Sequence, residues 1–438
     1  MNNRIGIRRE DIDQTEKRAP LSPDHVKELV NGTSLDIIIT PSKRRIFTNN
    51  QYKDAGAILN DDLSDCNVIF GVKEVPADEL SENKAYCFFS HTIKGQSYNM
   101  PLLKRMLELK NTLIDYEKVT DEMGRRIIFF GRYAGIVGAI NTLWIYGQRL
   151  LAEGIENPFA LIKQANKYNS LDEAKSDIHL LADTIRKKGL PQEILPVVIA
   201  VTGSGQVSQG AQEIFDLLPA ALISAPELLV TDHSILRKNG ITTVIIDVDA
   251  FTKPVNPDNT FDFNEYINNP EKYRGDFEKY IPAISMLVNG IYWEKKYPRL
   301  VTKKSLKMLF EDVKNPMLRV ISDITCDIDG SIECNVKTTT SDNPVYVYEP
   351  LTGNIFDGFQ GNGPVILAVD KLPSELPGES TSGFGDSLLP FIPKLASADF
   401  DVPFEKLDIP PEFKRAVIAH KGNLTPDYQY LRPFLDKI

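Results

Sequence analysis

Short apolar runs alternate with amphipathic stretches through the first 120 residues of the chain. Between residues 101 and 109, leucines and a methionine recur at helical spacing, and Pro101 suits the first turn of a helix. Strands that alternate with helices are typical of an α/β domain with a mostly parallel sheet. The predicted strands are 4–8, 35–40, 66–72, 85–90 and 112–116.

A helix-rich connector follows, from Tyr133 to Lys188, and a second alternating series begins after it. This series predicts a second α/β domain. From about Asp386 the chain is rich in loops and prolines, with an apparent helix near 411–419. The predicted strands of the second series are 197–202, 221–224, 243–248, 285–288, 319–324 and 365–369.

Composition narrows the classes of partner. The chain has 438 residues, enough for two or three domains, and a net charge of −10 with no long Lys/Arg run, so we expect no nucleic-acid partner. The most apolar long stretch, 134–151, is interrupted by Asn141, Gln148 and Arg149. We interpret it as a buried helix and expect no membrane partner.

The four cysteines form no C-x-x-C pair, and only Cys87 has a histidine, His91, within ten residues of it in the sequence. We therefore expect no metal site. So few cysteines in a chain of this length fit a reducing compartment. The first residues lead directly into the apolar run at Ile5, without the pattern of a targeting segment, so the expected location is cytoplasmic.

The apolar strand 197–202 runs directly into a turn that contains two glycines, and a helical pattern follows. Glycines permit the tight turn and the close approach of a pyrophosphate, which the N-terminus of the helix attracts. The third position of the usual G-x-G-x-x-G pattern is Ser208, so a purely structural turn remains the alternative. The predicted dinucleotide-binding residues are Gly203, Ser204, Gly205, Gln206 and Val207.

Three consecutive predicted strands of the first series end in ionisable residues: Lys73 and Glu74, then His91, then Glu117. Ligands of open α/β sheets bind beyond the carboxyl ends of the strands, so parallel neighbours would gather these side chains in one cleft. Taken singly, each is typical of a solvated or structural residue. Together they include a base, an acid and carboxylates that could tune them. For the group as a whole, the catalytic and the structural interpretations are therefore equally favoured.

Further segments are recognisable as a set that runs in order over nearly the whole chain: 16–23, 72–76, 89–94, 115–117, 124–126, 208–212, 289–293, 368–377 and 386–390. They resemble the saccharopine dehydrogenase and alanine dehydrogenase group. Within it, they look like the lysine–2-oxoglutarate reductase half of bifunctional aminoadipic semialdehyde synthase. Enzymes of that branch join the ε-amine of L-lysine to 2-oxoglutarate and form saccharopine, with a nicotinamide as the hydride donor.

The resemblance implies roles for particular residues. Lys73 matches a lysine that exchanges a proton with the secondary amine of the substrate, and His91 matches the acid–base group of the carbinolamine and imine steps. Glu74 and Glu117 match acidic neighbours that tune this pair. Asp370 matches an aspartate that reaches the nicotinamide end of the cofactor.

The same resemblance implies that Arg18, Lys94 and Arg125 hold substrate carboxylates and that Phe130 lines their pocket. Saccharopine carries three carboxylates, so several fixed cations are what it requires. Two positions depart from the fungal pattern: Gln206 and Gly378 stand where the fungal enzymes have arginine. The alternatives are an amino-acid dehydrogenase of the alanine dehydrogenase type and a nucleotide sensor without chemistry. A separate saccharopine-cleaving enzyme is an expected partner.

Cofactor preference is predicted from the end of the second strand after the glycine turn, where NAD-binding sites carry a carboxylate. Ser224 stands there, and the nearest acid, Glu227, follows Pro226. Since a carboxylate would repel a 2′-phosphate, its absence predicts NADPH, with NADH as the alternative. Arg237 and Lys238 are the nearest cations downstream.

The order of these features predicts the architecture. We expect two Rossmann-like α/β domains with an active-site cleft between them. The first would be a discontinuous substrate domain, 1–131 plus 371–438, similar to the N-terminal domain of alanine dehydrogenase and transhydrogenase. The second, 132–370, would be the dinucleotide-binding domain inserted into it.

Overall fold

The computed structural model of the chain describes residues 3–13 and 15–437, apart from the side chain of Asn239. The chain forms two compact units. The first combines residues 1–130 with residues 377–438, and the second is the continuous stretch 131–376. Residues 371–376 lie in the second unit, since Leu372 and Leu376 pack into its hydrophobic core.

The first stretch, 1–130, contains all five predicted strands and one short additional strand. Helix α1 begins after Ser22, whose side chain accepts a hydrogen bond from the backbone N–H of His25. The elements are β1 (Arg4–Ile7), α1 (Pro23–Gly32), β2 (Asp36–Ile39), α2 (Asn49–Asp54), β3 (Ile58–Leu59), β4 (Val68–Phe70), β5 (Ala85–Phe88), α3 (Met100–Glu108) and β6 (Thr112–Asp115).

The second unit begins with a long buried helix. Its helices are α4 (Gly131–Ala152), α5 (Leu171–Lys188), α6 (Gln206–Phe215), α7 (Ala225–Val230), α8 (His233–Asn239), α9 (Val248–Phe251), α10 (Phe263–Asn268) and α11 (Lys303–Asp312). Its strands are β7 (Val197–Thr202), β8 (Ala220–Ser224), β9 (Ile241–Ile246), β10 (Thr252–Pro254), β11 (Tyr273–Gly275), β12 (Met286–Asn289), β13 (Val320–Asp323), β14 (Val345–Tyr348), β15 (Ile355–Asp357) and β16 (Val365–Leu367).

The interpretation of 134–151 as a buried helix is confirmed by α4, most of whose residues are buried. Among the residues that the structure describes, no helix combines the length and apolar character that a membrane crossing requires.

In the C-terminal stretch, the helix predicted near 411–419 is confined to residues 411–414. Residues 417–420 form a strand instead, with all four residues buried, because they complete the first sheet beside β6. His420 is buried there and hydrogen-bonded to Thr112. The elements are α12 (Pro377–Leu388), α13 (Ile392–Ala396), α14 (Pro411–Lys414), β17 (Val417–His420), β18 (Asn423–Leu424) and α15 (Arg432–Leu435).

The first sheet has the order β18-β17-β6-β5-β4-β1-β2-β3. Strands β1 to β6 are parallel, and the two C-terminal strands add an antiparallel edge. Because β4, β5 and β6 are parallel neighbours, the residues that follow them emerge at one edge of the sheet. Apolar side chains of strands and helices form the core on both faces.

The second sheet has the order β15-β14-β16-β13-β12-β7-β9-β8. Six strands are parallel, and β14 and β15 are antiparallel. Although β8 follows β7 in the chain, it lies at the sheet edge, and β9 lies between them. Strand β9 ends at Ile246, two residues earlier than predicted, because the side chain of Asp247 caps α9. The predicted α/β class with mostly parallel sheets is confirmed.

Candidate active site

The glycine turn of the second unit has the geometry of an anion site. Gly203 adopts a φ of +80°, which favours glycine, and its N–H donates to the carbonyl of Ile246 at 3.0 Å. Gly205 precedes α6 without any side-chain cap, and a Cβ added there would meet nothing within 4 Å. The first N–H groups of α6 and its positive dipole end therefore face an open cradle that fits a pyrophosphate. Ser204 and Gln206 are exposed beside it, and Val207 is half-buried.

Two glycines fix the start of α6 against α4. A Cβ on Gly210 would lie 2.0 Å from the carbonyl oxygen of Arg132, and one on Gly135 would lie 1.9 Å from that of Val207. The sequence prediction assigned the third motif position to Ser208, which is buried and accepts a hydrogen bond from the Gln212 side chain. The glycine that allows close packing is Gly210, two residues further on.

Ser224 does not lie where the predicted contact with the cofactor's ribose would require it. It ends β8, the edge strand, and caps α7. The Glu227 carboxylate folds back and accepts hydrogen bonds from the Ser224 N–H at 2.7 Å and the Ser224 hydroxyl at 2.8 Å. The cofactor prediction placed the ribose at the end of this second strand, but β9 lies between that strand and β7 in the sheet.

A buried polar network joins the carboxyl ends of β7, β12 and β13. Asn289 accepts from the Thr202 hydroxyl at 2.9 Å and donates to Asp323 at 2.8 Å. Asn335 and Thr325 also donate to Asp323, at 2.8 and 2.7 Å. Burial raises the pKa of Asp323 to about 6, although these hydrogen bonds oppose the shift. Sequence reasoning missed this group, because an acid inside a strand carries no local signal.

Asp370 lies exposed, three residues beyond the end of β16. Burial, and then the charges of Asp323 and Asp370, raise the pKa of the Cys326 thiol, so the two carboxylates lie near that side chain. Cys326 itself has a φ of +60°, unusual for a residue with a Cβ. Asp370 therefore lies beside a strained turn that follows β13. No group of three or more potential metal ligands occurs among the described residues.

In the first unit, Lys73 follows β4 and is half-buried. A carboxylate that sequence reasoning missed holds its backbone: Glu10 accepts from the N–H groups of Val72 and Lys73 at 2.7 and 2.9 Å. Burial raises the pKa of Glu10 to about 7, although the charge of Arg8 and these hydrogen bonds lower it. Glu10 lies in a charged run after β1, where it resembled a solvated residue.

His91 follows β5 and forms a short pair with Glu74. Its Nδ1 lies 2.5 Å from Glu74 Oε1, and the side-chain amide of Asn99 donates to the same oxygen at 2.9 Å. Burial opposes ionisation of Glu74, yet the hydrogen bond and charge of His91 hold its pKa at about 2. An ionised carboxylate only accepts, so Nδ1 carries the proton.

The backbone at His91 is strained and held in place. Its φ is +48°, a region that few non-glycine residues adopt. The preceding residue, Ser90, donates from its N–H to Asp115 at 3.1 Å and from its hydroxyl to the same carboxylate. Asp115 also accepts from the N–H of Glu117 at 2.8 Å. One buried carboxylate thus fixes both His91 and Glu117.

Arg18 is buried and forms two hydrogen bonds to Glu16, from Nε at 2.8 Å and Nη2 at 2.6 Å. Its guanidinium lies 4.2 Å from the ring centre of Phe130, which stacks on Phe384. Burial raises the pKa of Glu16, but Arg18 and, more weakly, Lys73 lower it below its usual value. The charges of Lys73 and Arg18 therefore act on one carboxylate.

The other two predicted carboxylate ligands lie apart. Lys94 is exposed, and Arg125 is paired with Asp121 at 2.7 Å on an exposed turn. The next residue, Arg126, points differently: its guanidinium lies 6.0 Å from the ring centre of Phe89. Phe89 in turn contacts Phe130. Arg126 therefore lies over an aromatic ring, whereas Arg125 is held by Asp121, a distinction that two adjacent arginines do not reveal in the sequence.

Comparison with solved structures shows which fold the chain has. An L-alanine dehydrogenase covers 99% of this chain and 99% of its own, with a TM-score of 0.61 and 18% identity. A transhydrogenase from Sinorhizobium meliloti covers 97% and 99%, with a TM-score of 0.51 and 14% identity. Residues 6–137 match the family described as alanine dehydrogenase/PNT, N-terminal domain. The fold is that of these two-domain, Rossmann-like proteins, as predicted.

Sequence comparison narrows the class. An α-aminoadipic semialdehyde synthase of Arabidopsis thaliana is 39% identical over 98% of this chain, and a mitochondrial one of Bos taurus is 38% identical over 98%. The chain spans 41% and 47% of their lengths. A saccharopine dehydrogenase [NAD(+), L-lysine-forming] of Neurospora crassa is 26% identical, with 87% of this chain and 88% of the relative covered. The chain is a homologue of these oxidoreductases, which confirms the resemblance seen in the sequence.

Proposed function

We propose that the chain catalyses the reversible, reductive condensation of L-lysine with 2-oxoglutarate to saccharopine. The observation that carries this proposal is the hydrogen-bonded pair of Glu74 and His91 beside Lys73 at one edge of the first sheet. Homology over 98% of the chain to α-aminoadipic semialdehyde synthases supports it. The fold of an alanine dehydrogenase is compatible with it, but gives no separate support for alanine as substrate.

The reaction begins when the ε-amine of lysine attacks the ketone carbon of 2-oxoglutarate. The carbinolamine loses water to give an imine, and a bound reduced nicotinamide would supply the hydride for its reduction. His91, with Nδ1 held by Glu74, offers Nε2 to protonate the leaving hydroxyl. Lys73, near the positive charge of Arg18, exchanges the proton of the amine. Glu117 supplies a carboxylate at the neighbouring strand end.

Substrate carboxylates require fixed cations. We assign Arg18 to one of them, because its guanidinium is held on Phe130 and because Lys73 also acts on the Glu16 carboxylate with which Arg18 pairs. Arg126 replaces Arg125 as the second candidate, since Arg125 is already paired with Asp121. Lys94, exposed after His91, is a third cation at this edge.

In the second unit, Gly203 to Val207 would hold the pyrophosphate of the dinucleotide through the N–H groups of α6. Asp370, near the strained turn at Cys326, is the candidate for the nicotinamide end. The sequence argument for NADPH rested on Ser224, which lies on the edge strand, so the preference between NADPH and NADH must rest on a different residue.

The experiment that tests the proposal is oxidation of NADH and NADPH with lysine plus 2-oxoglutarate, with each substrate omitted in turn. Turnover should require both. Pyruvate with ammonia tests the alanine dehydrogenase alternative in the same assay. Turnover with pyruvate and ammonia, but not with lysine and 2-oxoglutarate, would contradict the proposal.

A further inference from the structure

The order of strands in the second sheet relocates the cofactor's ribose site. Strand β9 pairs with β7 along its full length, so that Ile246 lies beside Thr202. The N–H of Gly203 donates to the Ile246 carbonyl, which joins the end of β9 to the glycine turn. The residue after Ile246 is Asp247. A carboxylate therefore follows the strand that is the actual neighbour of the glycine-turn strand.

Asp247 is half-buried and accepts a hydrogen bond at Oδ1 from the N–H of Val248 at 2.7 Å. Within the described residues, no hydrogen bond or ion pair engages its Oδ2. In dinucleotide sites of this fold, the ribose next to adenine lies at the end of the strand adjacent to the glycine turn, where a carboxylate accepts its hydroxyls. Asp247 has that position and a free acceptor.

The end of β8 is a less suitable ribose site than the end of β9. Neighbouring strands are about 4.8 Å apart, so Ser224 lies a full strand further from β7 than Asp247 does. Both the Ser224 hydroxyl and its N–H are already bound to Glu227. Arg237, one of the two cations that sequence reasoning offered to a 2′-phosphate, donates to the carbonyl of Leu195 at 2.6 Å. Leu195 precedes β7, so this arginine lies at the opposite end of the sheet from the glycine turn.

We propose that Asp247 binds the adenosine ribose of the cofactor and makes this chain prefer NADH over NADPH. The inference rests on the proposed function for its nicotinamide cofactor. The Asp247 carboxylate would accept hydrogen bonds from the 2′-hydroxyl of NADH. It would repel the 2′-phosphate of NADPH at the same place.

The test is direct binding of NADH and of NADPH, followed by the fluorescence of the reduced nicotinamide, without lysine or 2-oxoglutarate. Wild type should bind NADH at least about tenfold more tightly than NADPH. Asp247→Asn keeps a side-chain oxygen to cap α9 but removes the charge, and it should lower the ratio of the two affinities about tenfold. Asp249→Asn, two residues further along α9, and Ser224→Asp, on the edge strand, are the controls and should leave the ratio unchanged.

The outcomes distinguish the assignment of Asp247 from the proposed reaction. Tighter binding of NADPH by wild type, or an unchanged ratio in Asp247→Asn, would overturn the assignment of Asp247 and leave the proposed reaction standing. Selective NADH binding without turnover of lysine and 2-oxoglutarate would contradict the reaction alone. Binding of neither nucleotide would overturn both.

Discussion

At the carboxyl edge of the first sheet, strands β4, β5 and β6 are followed by ionisable side chains, of which Glu74 and His91 form a hydrogen-bonded pair. At the corresponding edge of the second sheet, β7 and β12 end in neutral side chains, and a glycine follows each of them. The first edge keeps Glu74 ionised against His91. The second presents bare backbone at Gly205.

The difference reflects the two ligands. Proton transfer requires groups whose charge states are set by close partners, and the short contact between Glu74 and His91 provides this. A pyrophosphate already carries its charge and requires N–H donors without intervening side chains, which a glycine turn at a helix N-terminus provides. Changes at the first edge should therefore affect turnover, and changes at the second should affect nucleotide binding.

The largest expected effect tests the first half of this contrast. Lys73→Met and His91→Gln should each lower kcat for lysine plus 2-oxoglutarate by about 10²–10⁴-fold, because each removes a direct proton-transfer group. The double variant should lose less than the product of the two losses, since both groups act in one relay. Nucleotide affinity, measured by fluorescence, should change little. Full turnover in Lys73→Met would remove the assignment.

A matched pair of glycines tests the second half. Gly210→Ala should destabilise the protein by about 3 kcal/mol, because its Cβ would lie 2.0 Å from the carbonyl oxygen of Arg132. Gly205→Ala should leave stability unchanged, since its φ of −75° suits alanine and its Cβ meets nothing within 4 Å. The same Cβ enters the space of the pyrophosphate, so nucleotide affinity should fall at least about tenfold. Urea unfolding measures the effect on stability, and nucleotide titration measures the effect on binding. If Gly205→Ala bound nucleotide as tightly as wild type, the assignment of the pyrophosphate to this turn would be contradicted.

Two adjacent arginines give a finer comparison within the first unit. Arg126→Gln should raise the KM of a carboxylate substrate about tenfold, as expected for the loss of one charge-assisted hydrogen bond. Arg125→Gln should change it less than about twofold, because Arg125 already pairs with Asp121 on an exposed turn. Steady-state kinetics for lysine and 2-oxoglutarate provide the measurement. The reverse order of effects would restore Arg125 as the ligand.

Much of this molecule could be predicted from local pattern. The five strands predicted in the first series and the six predicted in the second, the glycine turn and the strand-end positions of Lys73, His91 and Glu117 follow from hydrophobic periodicity and turn residues. Even the bond between Ser224 and Glu227 has a local signature, since serine followed by glutamate three residues later forms a capping box.

Other features depend on contacts that no local pattern contains. The position of β9 between β7 and β8 is a choice of strand order, and it moves the place expected for a ribose-binding carboxylate from the end of β8 to the end of β9. The strand at 417–420 formed because β6 offered it an edge. Glu10 resembled a surface acid, and its role depends on the N–H groups of residues more than sixty positions away in the chain.

The smallest expected effect compares one buried carboxyl from each edge, Glu10 and Asp323. Burial raises their pKa values to about 7 and about 6, from 4.5 and 3.8 in an exposed setting. The folded state therefore binds more protons than the unfolded state in these ranges. The free energy of unfolding should fall as pH rises, from about 4.5 to 7 for Glu10 and from about 3.8 to 6 for Asp323.

Glu10→Gln should make the free energy of unfolding fall less steeply with pH above about pH 5, and the change in slope should correspond to at most one bound proton. Asp323→Asn should have this effect only below about pH 6. Urea unfolding at a series of pH values measures both slopes. Only Glu10→Gln should also alter the pH profile of kcat, because Glu10 holds the backbone of Lys73. If Asp323→Asn shifted that profile equally, proton transfer would not be confined to the first edge, and the contrast between the two sheets would fail.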